Sequence, residues 1–191
     1  MTRIAVVDPQ PAVRAGLTML LRTEPGLVPI GAATGAGDGL ELVERLRPDV
    51  VLLEHQLLDG DGLSLCRRLK ALAAAPRVIL YTADPEGTLV LLGRIAGADG
   101  LVDKADDPRD LFEAIRVVAR GGDALPPLEP EQLGEAANLS DPEDLALLAM
   151  LVDGTSASDA ADTLRLDRRK VGRRIERLLG RLRQSREPAL S

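Results

Sequence analysis

Five short apolar segments, separated by segments with helical spacing, constrain the fold of this chain more than any other feature. Each segment is short enough for one buried strand, and each is followed by apolar residues at offsets of three and four, the period of an amphipathic helix. The predicted strands are residues 3–7, 27–33, 49–53, 77–82 and 100–102. This alternation predicts an α/β fold, a doubly wound parallel sheet with helices on both faces.

Glycines at positions 121 and 122 end the alternation, and three prolines follow without a clear period. Proline and glycine in this density are typical of a linker. We therefore predict an α/β domain over residues 1–121, a linker over 122–138 and a small all-α domain over 139–191.

The last domain has the pattern of a helix-turn-helix. Ser140 and Glu143 have capping-box spacing before an apolar helix. A short helix is predicted at about 157–164, and Asp167 is placed to cap a long basic helix after it. Two helices joined by a tight turn, the second of them basic, are typical of proteins that place a helix in the major groove of DNA.

The charge distribution separates the same two parts. The net charge is −6, yet residues 155–191 carry ten Lys/Arg against five Asp/Glu. The remainder is strongly acidic, so the basic part has the size of one nucleic-acid-binding module. Trp is absent and there is one Tyr and one Phe, which argues against a single-strand binding surface built on aromatic stacking. One Cys suits a reducing cytoplasm, and no apolar run is long enough to span a membrane.

Polar side chains follow four of the predicted strands. In a doubly wound sheet, ligands bind beyond the carboxyl ends of the strands. Asp8, Glu54, Thr82 and Lys104 occupy those positions, so we expect two acids, a hydroxyl and an ammonium group to converge in one crevice.

Sequence motifs around these positions resemble those of a known family. The motifs are PDVVLLE (48–54), YTA (81–83), GADGLVDK (97–104), LSDPE (139–143) and KVGRRIERLLGRL (170–182). They are similar to a two-component response regulator of the NarL/FixJ type, with a receiver domain and a LuxR-type helix-turn-helix. The resemblance implies a flavodoxin-like sheet of order 2-1-3-4-5 and a cytoplasmic transcription regulator rather than an enzyme. Its expected partner is double-stranded DNA, bound as a homodimer.

The chain departs from this family at the receiver crevice. Pro9 stands where receivers have a second acid, Glu54 replaces the phosphorylated Asp, Leu58 replaces a Pro, and Leu101 replaces the aromatic switch residue. Pro9 offers no ligand to Mg²⁺, and the longer Glu54 moves its carboxylate by about 1.5 Å, enough to impair phosphoryl transfer. We expect weak or absent Mg²⁺ binding, no bound cofactor and no phosphorylation.

Two interpretations of Glu54 remain open. It either imitates the phosphorylated state through a fixed pair with Lys104, or it stays solvated in a vestigial crevice. A carboxylate carries less charge than a phosphate, so the imitation is partial. His55 is the only histidine, and without a second His or further Cys we do not expect a metal site there.

The basic helix supplies the candidate DNA contacts, and we place them on the side away from its apolar stripe. They are Arg168, Arg169, Lys170, Arg173, Arg174, Arg177 and Arg181. Two alternatives to phosphorylation-independent DNA binding stay open. In the first alternative, the crevice or a receiver surface binds a small-molecule ligand. In the second, the chain acts as a heterodimer partner or sequestering module that binds DNA weakly.

Overall fold

The computed structural model describes residues 1–83, 85 and 87–184. The last seven residues of the predicted helix-turn-helix domain, 185–191, lie outside the described part. The chain forms two compact units. The first comprises Met1–Pro85 and Ala98–Pro126, and the second comprises Glu86–Gly97 and Pro127–Ser191.

The first unit contains one parallel five-stranded sheet of order β2-β1-β3-β4-β5. Its strands are β1 (Thr2–Val7), β2 (Leu27–Ala33), β3 (Val50–Leu53), β4 (Arg77–Thr82) and β5 (Gly100–Asp103). The predicted fold class and strand order are confirmed, and each predicted strand lies within one residue of its observed bounds. The apolar periodicity succeeded because β3 and β4 are buried on both faces and need unbroken apolar runs.

The helices of the first unit are α1 (Pro11–Thr23), α2 (Ala36–Leu46), α3 (Gly62–Lys70) and α5 (Pro108–Ala119). Apolar residues of α1 and α5 pack with the sheet in one core cluster that includes Leu21, Leu52, Ile79 and Ile115. Asp107 caps α5 by accepting a hydrogen bond from the Arg109 amide, and the helix starts at Pro108, which has no amide proton to leave unpaired there.

The start of α2 is capped from a distant loop. Asp38 lies inside the first turn of α2, and Gly35 is the residue before the helix. The carboxylate of Asp59 accepts hydrogen bonds from the amides of Ala36 (2.7 Å) and Gly37 (3.1 Å). Asp59 thereby fixes the loop after β3 against the start of α2.

All regular secondary structure in the described part of the second unit is helical. Its helices are α4 (Gly87–Ala96), α6 (Pro130–Leu139), α7 (Leu145–Val152), α8 (Ala157–Leu164) and α9 (Arg168–Gln184), with a 3₁₀ turn at Pro142–Asp144 before α7. Within this unit α4 packs against α6, α7 and α9, and α8 packs against α7 and α9. None of the described helices is long and apolar enough to cross a membrane.

The compact units divide the chain differently from the predicted domains. The α/β domain predicted over 1–121 includes α4, and in the structure α4 groups with the helical unit. Four consecutive residues of α4, 89–92, are buried. Because consecutive residues of a helix point to different sides, α4 is buried on all sides along this stretch and has no polar face there. The predicted linker 122–138 is helical from Pro130, because a capping box formed by Glu129 and Gln132 starts α6.

Candidate functional site

One ammonium group joins the two acids at the carboxyl end of the sheet. The Nζ atom of Lys104 donates hydrogen bonds to Oδ2 of Asp8 (2.6 Å) and Oε2 of Glu54 (2.7 Å). Asp8 is 1% exposed and Glu54 is 7% exposed. The structure thus brings together the acids and the lysine of the predicted crevice, and Glu54 is paired rather than solvated.

Backbone hydrogen bonds place these side chains. The sheet pairing continues one residue past the strands: the amides of Asp8, Glu54 and Lys104 donate to neighbouring carbonyls at 3.1, 2.9 and 2.7 Å. The partner carbonyl of Lys104 belongs to Thr82, which is buried at the end of β4. The parallel register therefore carries the first polar residue after each strand to one edge of the sheet.

Sequence reasoning missed His55 as a member of this cluster. Its Nδ1 atom lies 2.9 Å from Oε1 of Glu54 and 2.9 Å from Oγ1 of Thr82. When Nδ1 carries the proton, it donates to these oxygens. From the sequence we consider His55 only as a metal ligand, and the signal for this second role is its position directly after Glu54, the acid that follows β3.

The hydrogen bonds at Glu54 control its charge. Burial alone would raise the pKa of the Glu54 carboxyl, but hydrogen bonds from His55, Lys104 and the Gln56 amide, together with the Lys104 charge, lower it to about 2. Burial alone would lower the pKa of Lys104, but its bonds to Asp8 and Glu54 raise it. Both members of the pair are therefore charged at neutral pH.

The donor set does not fit the magnesium ion that a receiver domain uses. Each carboxylate oxygen of Asp8 and Glu54 already accepts a hydrogen bond, two from Lys104 and the others from the amides of Gln10 and Gln56. Mg²⁺ would have to displace the ammonium group from both acids, and Pro9 supplies no replacement ligand.

Leu101 leaves an aliphatic side chain where receivers have an aromatic one. It is a buried residue of β5. The aromatic ring near the crevice belongs instead to Tyr81 on β4, whose centroid lies 5.9 Å from Nζ of Lys104. Tyr81 contributes a weak cation–π contact to the same ammonium group.

The helix-turn-helix forms in the second unit. Ser156 caps α8 by accepting from the Asp159 amide, and Asp167 accepts from the amides of Arg169 and Lys170 at the start of α9. The predicted cap at Asp167 is confirmed. Val171 lies in the buried stripe of α9, which packs against α4 and α8 as part of the helical core.

The seven candidate DNA contacts do not share one environment. Arg169, Lys170 and Arg173 are exposed, and Arg168 lies 3.6 Å from Asp162. Three others pair with acids that precede α7: Arg174 with Glu143 (2.8 Å) and Asp144 (3.3 Å), Arg177 with Asp144 (3.7 Å), and Arg181 with Asp141 (2.8 Å).

The prediction that all seven residues lie on the solvent side of α9 is wrong for Arg174. It is only 8% exposed, and its guanidinium also donates to the Glu143 carbonyl oxygen at 3.0 Å. The predicted capping box of Ser140 and Glu143 is also wrong, because both side chains bond to other partners. Glu143 pairs with Arg174, and the Ser140 hydroxyl donates to the Ala136 carbonyl oxygen at the end of α6.

Comparison with known proteins identifies the family. Residues 4–116, which include most of β1, the other four strands and α4, match the family model of the response regulator receiver domain. The chain belongs to the response regulator family. This response regulator is 29% identical over 192 residues to the nitrate/nitrite response regulator protein NarP of Escherichia coli, covering 94% of the chain and 88% of NarP.

Two further comparisons extend the likeness. The virulence factors putative positive transcription regulator BvgA of Bordetella pertussis is 26% identical, over 94% of this response regulator and 90% of BvgA. The crystal structure of a LuxR-family two-component response regulator from Aurantimonas sp. SI85-9A1 is similar with a TM-score of 0.62 and 30% identity. That match covers 72% of this chain and 96% of the other.

Proposed function

We propose that this response regulator is a DNA-binding transcription regulator that works without phosphorylation. The observation that carries DNA binding is the start of α9, where exposed Arg169, Lys170 and Arg173 follow the turn after α8. Arginine and lysine in this position suit phosphates and guanine edges. BvgA, named as a transcription regulator, aligns with the chain through this helical region.

Double-stranded DNA is the proposed partner, with two copies of the chain reading a two-part site. A single helix-turn-helix covers one half-site, and a dimer with twofold symmetry matches two half-sites about one helical turn apart. Arg169, Lys170 and Arg173 are the proposed contacts.

The crevice supports independence from phosphorylation. Lys104 is the cation that would neutralise a transferred phosphoryl group, and it is already held by Asp8 and Glu54. Phosphoryl transfer depends on positioning and on charge neutralisation by metal and cation. With the cation engaged and the metal ligands incomplete, we propose that the Glu54–Lys104 pair replaces the phosphorylated state.

The decisive experiment is selection of genomic DNA fragments by the full-length protein, without a phosphoryl donor. We expect sequence-selective binding. Arg173→Ala should weaken binding and reduce the dependence of log K on log salt by about 0.9 per protomer. Arg109→Ala, the same change at an exposed position of α5, is the matched control and should change neither quantity.

A second variant separates the two parts of the proposal. Glu54→Gln preserves the size of the side chain but removes the charge that pairs with Lys104. Weaker selective binding by Glu54→Gln would support the imitation of phosphorylation. Unchanged binding by Glu54→Gln would remove that part and leave DNA binding itself intact.

A further inference from the structure

An acidic segment precedes α7 and pairs with the C-terminal half of α9. We use this name for Asp141, Glu143 and Asp144. Within the described residues, its carboxylates pair with Arg174, Arg177 and Arg181, whereas Arg169, Lys170 and Arg173 have no ion pair. Arg168 lies 3.6 Å from Asp162. After it, the cations without an ion pair in the described part of the chain, Arg169, Lys170 and Arg173, come before those that pair with the acidic segment.

Arginines with and without an ion pair lie on the same face of α9. Arg173, Arg177 and Arg181 are spaced by four residues and so lie along one side of α9, over a length of about 12 Å. A DNA backbone running along this side would meet all three guanidinium groups. Only the first of them is without a carboxylate partner among the described residues.

The ion pairs differ in how easily a DNA phosphate can replace the carboxylate. Arg174 and Asp144 are buried, at 8% and 1% exposure, and separating such a pair leaves an uncompensated charge. The side chains of Arg181 and Asp141 are each 41% exposed, and their atoms lie 2.8 Å apart. Exposed pairs are weak, and the guanidinium fork fits a carboxylate or a phosphate equally well.

We propose that Asp141 is an internal competitor for DNA phosphate that withholds Arg181 from the DNA backbone. Arg174 and the buried Asp144 position α9, and the exposed Asp141–Arg181 pair limits DNA contact to the first turns of the helix. This inference rests on the proposed DNA binding and adds a residue outside the helix-turn-helix that tunes affinity and salt dependence. The hydrogen bond from Arg181 also holds the pKa of Asp141 below its usual value, so the competitor is charged at neutral pH.

The test measures affinity and salt slope of the full-length protein on a selected DNA fragment. Asp141→Asn should bind on the order of fivefold tighter, with a slope steeper by about 0.9 per protomer, because one more phosphate is neutralised. Asp153→Asn is the matched control: it removes the same charge from an exposed residue at the end of α7, and its slope should stay unchanged.

A double-mutant cycle assigns the effect to Arg181. Arg181→Ala alone should cost much less affinity than Arg173→Ala, and Asp141→Asn should no longer steepen the slope when Arg181 is absent. Equal effects of Asp141→Asn and Asp153→Asn, or a gain that persists without Arg181, would overturn the inference while DNA binding stands. Failure of both the wild-type protein and Asp141→Asn to bind would overturn both proposals.

Discussion

Lys104 and Glu54 form a charged pair across the carboxyl end of the sheet, with Nζ and Oε2 2.7 Å apart. The same Nζ atom lies 2.6 Å from Asp8, so one ammonium group joins residues that follow β1, β3 and β5. His55 adds a contact to Thr82 at the end of β4. Four of the five strands therefore end in one network of hydrogen bonds.

Glu54→Gln should make the free energy of unfolding of the first unit less dependent on pH in the acid range. The pKa of Glu54 is about 2 in the folded chain against an ordinary value of 4.5. A lowered pKa stabilises the folded state above pH 4.5, and this contribution is lost as the pH falls towards 2. Glu54→Gln should therefore lower the free energy of unfolding at pH 7 by up to about 3 kcal/mol.

Urea unfolding followed by Tyr81 fluorescence measures this effect, because the chain has one Tyr and no Trp. The wild-type and Glu54→Gln curves should approach each other between about pH 4.5 and pH 2. A constant difference across that range would mean that the Glu54 charge does not contribute.

Restoring the family's acids should require two substitutions. Glu54→Asp shortens the side chain but leaves Pro9 without a metal ligand, so it should not accept a phosphoryl group from a small-molecule donor with Mg²⁺. The double variant Pro9→Asp with Glu54→Asp should form a phosphoryl adduct, detected by intact mass. An adduct on the wild-type protein would contradict the proposed independence from phosphorylation.

Asp144→Asn should destabilise the helical unit. It removes the buried carboxylate that faces Arg174 and leaves that guanidinium paired only with Glu143, at a cost of about 1–3 kcal/mol. Hydrogen exchange of the α9 amides measures the change locally. Replacing Arg174 by Met in the Asp144→Asn background should recover part of the loss, and Asp153→Asn should change stability by less than about 0.5 kcal/mol.

Gly62→Ala should destabilise the first unit by about 2 kcal/mol or more. A Cβ atom at Gly62 would lie 2.3 Å from the Glu54 carbonyl oxygen and 2.6 Å from Cα of His55, both backbone atoms. Gly16→Ala is the matched control, because Gly16 is an exposed position inside α1 with open space around it. It should raise stability by about 0.5–1 kcal/mol. A tolerated Gly62→Ala would show that the loop after β3 can shift freely.

Local patterns in the sequence determined the elements and their order. Apolar runs and helical spacing depend on neighbouring residues, so β2 and β4 and the cap at Asp167 were predicted correctly. The parallel alternation also brought Asp8, Glu54 and Lys104 together in the prediction, because the carboxyl ends of parallel strands share one edge.

Contacts between distant segments were decided only by the tertiary structure. Asp59 caps a helix 23 residues away, and the buried Arg174 pairs with Glu143, 31 residues earlier in the chain. His55 joins Glu54 to Thr82 across two strands, and α4 packs with helices that follow it much later in the chain. Side-chain charge and helical period leave these partners open, because they depend on which surfaces the packed chain brings within hydrogen-bond distance.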